Sequence, residues 1–183
     1  MEVLVKATLA FPSVFEAKSV MGAEPKFSAT LIFAPDSESH KNVQGAIDDV
    51  AKEKWTKTAS ATLASLDKAG KTCLRSGDEK PYDGFAGQMY VSASSKVRPT
   101  VLDRDRSPLT ESDGRIYGGC VVNALIDVWA QDNQYGKRIN ATLKGIQFVR
   151  DGEAFSSGAK AALPAAFPDL GMEEEDADAE GLL

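Results

Sequence analysis

IYGGCVVNALIDVWAQDNQYGKRINATLKGIQFVRDG, residues Ile116 to Gly152, decides the fold. Its first run, Ile116 to Ala130, is β-branched and nearly continuously apolar, the pattern of a strand covered on both faces. Asp132-Asn133 reads as a turn leading into Tyr135-Gly136-Lys137. The second run alternates, with Ile139, Ala141 and Leu143 on one face and Arg138, Asn140, Thr142 and Lys144 on the other. Beyond Gly145 the apolar positions become Ile146 and Phe148. A β-bulge at Gly145 explains that change of parity. The stretch therefore reads as two strands joined by a turn.

Working outward, MEVLVKATLAF (Met1 to Phe11) alternates as a half-buried strand. Pro12 to Pro25 reads as a loop or irregular strand, with a turn at Met21-Gly22-Ala23. KFSATLIFA (Lys26 to Ala34) is a second strand, ended by Pro35-Asp36. Val43, Ile47, Val50, Ala51 and Trp55 then recur at helical spacing, with Asp36, Ser37 or Ser39 as the cap. The pattern leaves open whether this helix continues through Ala61 to Gly70. Lys71 to Gly87 has loop chemistry, and QMYVSASSKV (Gln88 to Val97) alternates again. Arg98 to Arg115 reads as a long charged loop around a short extended piece. One helix inserted among strands not spaced as βαβ units implies a mainly β fold. The simplest form is a five-stranded OB-fold-like antiparallel barrel with the helix over one opening. The barrel domain is expected over 1–152, an Ala/Ser/Pro linker over 153–171 and a flexible acidic tail over 172–183.

That tail, MEEEDADAEGLL, contains Glu173, Glu174, Glu175, Asp176, Asp178 and Glu180 and ends in Leu182-Leu183. Setting its six acids aside leaves 21 Asp and Glu against 21 Lys and Arg, so the tail carries the whole net charge of −6. A block of like charge repels itself into solvent and serves as an interaction tail or a solubilising terminus. No apolar run is long enough to span a membrane, and no basic-then-apolar leader opens the chain, so the cytoplasm is the expected location. Cys73 and Cys120 read as two small buried thiols, and with His40 the only histidine no metal or cofactor is expected. No phosphate-binding loop, nucleophile elbow or zinc-protease motif is present. Asp103 and Asp105 are flanked by Arg104 and Arg106, which compete for their carboxylates. A binding protein rather than an enzyme is expected, with a nuclease built on Asp103 and Asp105 as the least favoured reading.

Single strands of nucleic acid are held by cations for phosphates and aromatic faces for bases. Between Lys96 and Arg150 the chain has nine basic residues against six acids, interleaved with Tyr117, Trp129 and Tyr135. The candidate contacts are Tyr90, Lys96, Arg98, Arg104, Arg106, Arg115, Tyr117, Tyr135, Lys137, Arg138 and Lys144. Tyr90 shares a strand face with Lys96, and Arg138 shares one with Lys144. Tyr90, Tyr117 and Tyr135 stand open between packing and stacking, whereas Phe27, Phe33, Phe148 and Trp129 are assigned to the core.

KFSATLIFAPDSES, LRSGDEKPYDGFAGQMYVSASSKVRPTVLDRD, the long hairpin through RDGE and the acidic tail together resemble the phage-encoded single-stranded-DNA-binding proteins. These are an OB-fold family related to the replication protein of short-tailed coliphages. The resemblance implies sequence-tolerant coating of single-stranded DNA during phage DNA replication and recombination. It also implies a tail that competes with DNA for the groove and touches replication and recombination proteins through Glu173 to Leu183. Tails of this type commonly end in an aromatic residue, and this one ends in Leu182-Leu183. The other class of reading is a structural or scaffolding phage protein whose barrel binds protein. The sequence is compatible with a homodimer without specifying one.

Overall fold

In the computed structural model, which describes residues 1–155 and 164–171, seven strands form one sheet that curls into a barrel. The acidic tail lies outside the described residues. Strand β1 (Glu2–Lys18) turns Val5, Ala7 and Leu9 inward. It pairs antiparallel with β2 (Lys26–Phe33) and β6 (Val121–Asn133). Strand β4 (Met89–Ser95) follows β2, and β7 (Gly136–Arg150) pairs with β6. A parallel bridge from Ser94 to Thr142 joins β4 to β7 and closes the ring β1-β2-β4-β7-β6. The short strands β3 (Leu74–Ser76) and β5 (Thr100–Leu102) extend the sheet beyond β4 and β7. This is the mainly β, five-stranded OB-type barrel expected from the sequence.

The Pro12 to Pro25 stretch divides into irregular strand and turn. Proline has no N–H for the ladder, and β1 passes it by slipping register between Ala10 and Ser13 and again before Lys18. The turn closes where the Ala23 amide donates to the Val20 carbonyl at 3.0 Å. In β7, Leu125 faces Gly145 while Ile126 faces Leu143, leaving Lys144 as the extra residue. The bulge thus falls at Lys144-Gly145 and lets both Leu143 and Ile146 reach the core.

Strand β6 departs from the expectation of cover on both faces. Val122, Ala124, Ile126 and Val128 point inward and are fully buried, whereas Asn123, Leu125 and Asp127 are only half-buried and Trp129 is exposed. The outer face here mixes Asn123 and Asp127 with Leu125 and Trp129 and meets no second layer.

The helical segment covers one barrel opening and is bent once. Ser37 caps helix α1 (Glu38–Trp55), its hydroxyl accepting from the His40 amide at 3.2 Å. Val43, Ile47, Val50, Ala51 and Trp55 form its buried stripe. At Thr56 the backbone adopts φ +48°, and the chain resumes as α2 (Ala59–Lys68). Trp55 Nε1 donates to Asp132 Oδ2 at 2.9 Å, tying the end of α1 to the tip of the β6–β7 hairpin.

Outside the barrel, the loop from Gly77 to Gln88 lies over β1, β2 and β4. Phe85 is its anchor, buried with Ala10, Ile32 and Tyr90. Gly77 is the position this docking cannot do without, because a Cβ there would sit 1.9 Å from the Phe85 carbonyl oxygen. That neighbour is backbone and cannot rotate away. Gly77→Ala is expected to destabilise the protein by about 3 kcal/mol, the upper range for overpacking. Thermal melting should register this as a fall of about 6–12 °C.

Candidate nucleic-acid interface

Where β4 meets β7, the two strands run parallel and their outward faces lie side by side. Alternation places Tyr90, Ser92 and Ser94 outward on β4, and Arg138, Asn140 and Thr142 outward on β7. The Ser94–Thr142 bridge sets Tyr90 level with Arg138. Between these faces, β3 and the tip of β6 runs a groove of about 690 Å³. Arg75, Lys80 and Arg138 stand at one end, and Lys26 and Lys96 at the other. Lys144 continues the β7 face toward Lys96. Five cations line the groove and no carboxylate does.

Two of these cations hold carboxylates at the rim. Arg75 pairs with Glu79 at 2.6 Å, and Lys96 with Glu24 at 2.8 Å. The hydrogen bond from Lys96, aided by its charge, holds the Glu24 carboxyl below the usual carboxylate range. Exposed pairs of this kind contribute little and exchange readily for a phosphate partner. The Nε of Arg75 is buried in the groove wall without a hydrogen-bond partner among the described residues. Cys73 is also in the wall, where burial pushes its thiol up to about 12 and keeps it neutral.

Trp129 supplies the groove's aromatic face. It sits opposite Asn140, its Nε1 donates to Thr142 Oγ1 at 3.1 Å, and it is 41% exposed. The expected core assignment is corrected by parity, since Val128 takes the inward position and Trp129 must point out. Phe33 and Phe148 are buried as expected, while Phe27 is half-buried.

The other candidates are distributed around the molecule. Lys96 and Arg138 line the groove, and exposed Lys144 shares the Arg138 face. Arg98 is exposed just beyond Lys96, and Tyr135 is 80% exposed at the hairpin tip. Tyr90 borders the groove, yet its ring is packed edge-on to Phe85 with centroids 5.4 Å apart, and burial pushes its phenol up. Lys137 faces the helix side, 5.8 Å from the Trp55 ring centre.

Arg104, Arg106, Arg115 and Tyr117 do not line the groove. Arg104 donates to the Val149 carbonyl, and Arg106 occupies a tight turn at φ +68°. Arg115 lies over the Phe148 ring, 4.8 Å from its centre, and pairs with Asp103 at 3.3 Å. Tyr117 donates to Asp151 at 2.8 Å and accepts from the Gly152 amide at 3.1 Å, so it fastens the end of β7. Asp103 and Asp105 cap their own turn, with Asp105 accepting from the Ser107 amide at 3.0 Å. No group of His, Cys, Asp or Glu suited to a metal occurs among the described residues.

Sequence reasoning missed Lys26, Arg75, Lys80 and the exposure of Trp129. Only for Trp129 did the sequence contain a signal, its parity with Asn123 and Asp127. The other three come from distant segments that meet through strand pairing.

Comparison with known proteins agrees with the architecture. The family model described as Enterobacter phage Enc34, ssDNA-binding protein, matches residues 1–179. Putative protein p50 of Acyrthosiphon pisum secondary endosymbiont phage 1 is 43% identical over 173 residues, spanning 92% of each chain. The single-stranded DNA-binding protein from bacteriophage Enc34, solved in complex with ssDNA, superposes with a TM-score of 0.65. It is 31% identical, and the match covers 84% of this chain and 88% of that one. The single-stranded DNA-binding protein encoded by bacteriophage T7 shares the fold, with a TM-score of 0.58 at 9% identity over 88% of this chain and 98% of that one. The chain thus belongs to the family of the single-stranded-DNA-binding protein of Enterobacter phage Enc34.

Proposed function

We propose that the protein binds single-stranded DNA without regard to sequence, in the host-cell cytoplasm, during phage DNA replication and recombination. One observation carries the reading: the β4–β7 groove unites five cations and an exposed tryptophan and has no acid in its lining. Cations supply salt-dependent, sequence-independent attraction for phosphates, and an aromatic face stacks any base. Serine and threonine hydroxyls and the Asn140 and Gln131 amides along the groove add hydrogen bonds to backbone or base. Membership of the Enc34 family supports the same ligand. The chemistry needs no cofactor, metal or catalytic group.

In this reading residues 1–152 form the DNA-binding body, 153–171 a linker and 172–183 a tail. The tail's acids compete with phosphates for the groove, and Leu182-Leu183 offers an apolar tip to replication and recombination proteins. Fluorescence anisotropy with labelled oligo-dT and a matched duplex tests the reading in the full chain and in a 1–171 truncation. Preference for the single strand is expected, weakening as salt rises. Truncation removes six acids and brings the net charge from −6 to zero. Affinity should therefore rise roughly threefold or more at low ionic strength, and the gain should vanish near 1 M salt, where the Debye length is about 3 Å. Unchanged or weaker binding by the truncated chain defeats tail competition. Absence of binding by both chains defeats DNA binding itself and returns the barrel to a protein-binding scaffold.

A further inference from the structure

Four aromatic rings form a continuous chain from the groove to the outer surface. Tyr90, at the groove edge, meets Phe85 with centroids 5.4 Å apart, and Phe85 meets Tyr82 at 5.8 Å. Tyr82 then meets Phe11 edge-to-face at 5.0 Å. The inner two rings are buried, whereas Phe11 and Tyr82 are 44% and 49% exposed. Buried aromatics in such a cluster need no further explanation. A pair of rings held half in solvent does, because each leaves part of its apolar surface available to an aromatic ligand.

The backbone adds a second observation. Phe11 lies at φ +47°, in the left-handed region that bulky side chains avoid, where β1 bulges before Pro12. Strained conformations persist where surrounding structure enforces them, and they cluster at ligand clamps. Here the bulge carries Phe11 onto the outer face against Tyr82 instead of leaving it in the strand's alternation.

The position is continuous with the groove. Lys80 lines the groove two residues before Tyr82. Ala10 pairs with Thr30, and Thr30 with Ser92, so Phe11's strand lies two strand spacings from the groove floor, about 10 Å. On the sheet between them Ser28, Thr30 and Ser92, small and hydroxyl-bearing, face outward beside Ile32 and Tyr90, which the Phe85 loop covers.

We infer that Phe11 and Tyr82 form a second base-stacking station, outside the β4–β7 groove, that takes the next bases of a single strand leaving past Lys80. The inference rests on the groove being the single-strand site. It makes the footprint longer than the groove and gives Trp129 and Tyr82 separate bases.

Two oligo-dT lengths separate the possibilities, roughly 4 and 16 residues, the span of site sizes on single OB barrels. Tyr82→Leu keeps apolar cover over Phe85 but removes the aromatic face, and Tyr82→Trp restores one. For the long oligonucleotide, Tyr82→Leu is expected to lose about 5- to 150-fold in affinity, the range for one stacked base, and Tyr82→Trp to recover it. The short oligonucleotide should bind all three chains alike. Equal affinity of Tyr82→Leu and the parent for the long oligonucleotide overturns the second station while leaving the groove intact. An equal loss for both lengths also overturns it, showing that Tyr82 acts by shaping the groove wall. Failure of the parent to bind either length instead removes the single-strand reading and this inference with it.

Discussion

Replacing Arg138 and Lys144 together by glutamate is expected to lower affinity for single-stranded DNA about 100-fold near 0.1 M salt. Both residues lie on the outward face of β7, Arg138 in the groove and Lys144 one turn of the alternation beyond Thr142. Each phosphate contact on a single strand contributes about 0.7 to the slope of log affinity against log salt. Losing two contacts thus costs about 25-fold at 0.1 M relative to 1 M, and two new negative charges extend the loss. The slope should flatten by about 1.4, which a salt series in anisotropy measures directly. The fold should persist, because neither side chain is buried and the core residues of β7 point the other way. A variant that retains both affinity and slope removes the groove from the DNA path. The Arg104 and Arg106 pair provides the contrast: both lie off the groove, and their replacement should change the slope little.

Trp129→Ala is the second large effect. A stacked base is worth about 1–3 kcal/mol, so affinity should fall between about 5- and 150-fold, with Trp129→Phe retaining most of it. This loss differs in kind from charge reversal, since stacking leaves the salt slope unchanged. The protein offers its own reporter as well. It has two tryptophans, of which Trp55 is 6% exposed under the helix and Trp129 is 41% exposed in the groove. Stacking on Trp129 should quench intrinsic fluorescence on titration with oligo-dT, and Trp129→Phe should abolish the quench while leaving the Trp55 signal. A quench that survives Trp129→Phe would move the base contact elsewhere.

The two experiments address opposite ends of what the sequence made legible. Arg138 and Lys144 were assigned to one outward face by strand parity alone, because polar and apolar residues alternate cleanly from Arg138 to Lys144 and a period of two assigns faces without further knowledge. Trp129 sits in a run, Ile116 to Ala130, whose largely β-branched and apolar composition suggested cover on both sides, although Asn123 and Asp127 share its parity. Composition could not show that no second layer lies there.

By itself, the sequence determined the local elements and their kind: the paired runs with a bulge at Gly145, a helix capped at Asp36, Ser37 or Ser39, the turn at Met21-Gly22-Ala23, and a charge balance that isolates the tail. These depend on period, on turn residues and on backbone freedom, all of which act over a few neighbouring positions. Only the tertiary structure decided which cations share a surface. Arg75 reaches the groove because β3 pairs with Tyr90, Lys80 because the Phe85 loop folds back over β2 and β4, and Lys26 because β2 runs antiparallel to β4. It likewise placed Arg104, Arg106 and Arg115 off the groove, although Arg104 and Arg106 follow Lys96 by only eight and ten positions. Barrel closure sets these distances through pairings between segments far apart in the chain, and linear spacing has no term for such pairings.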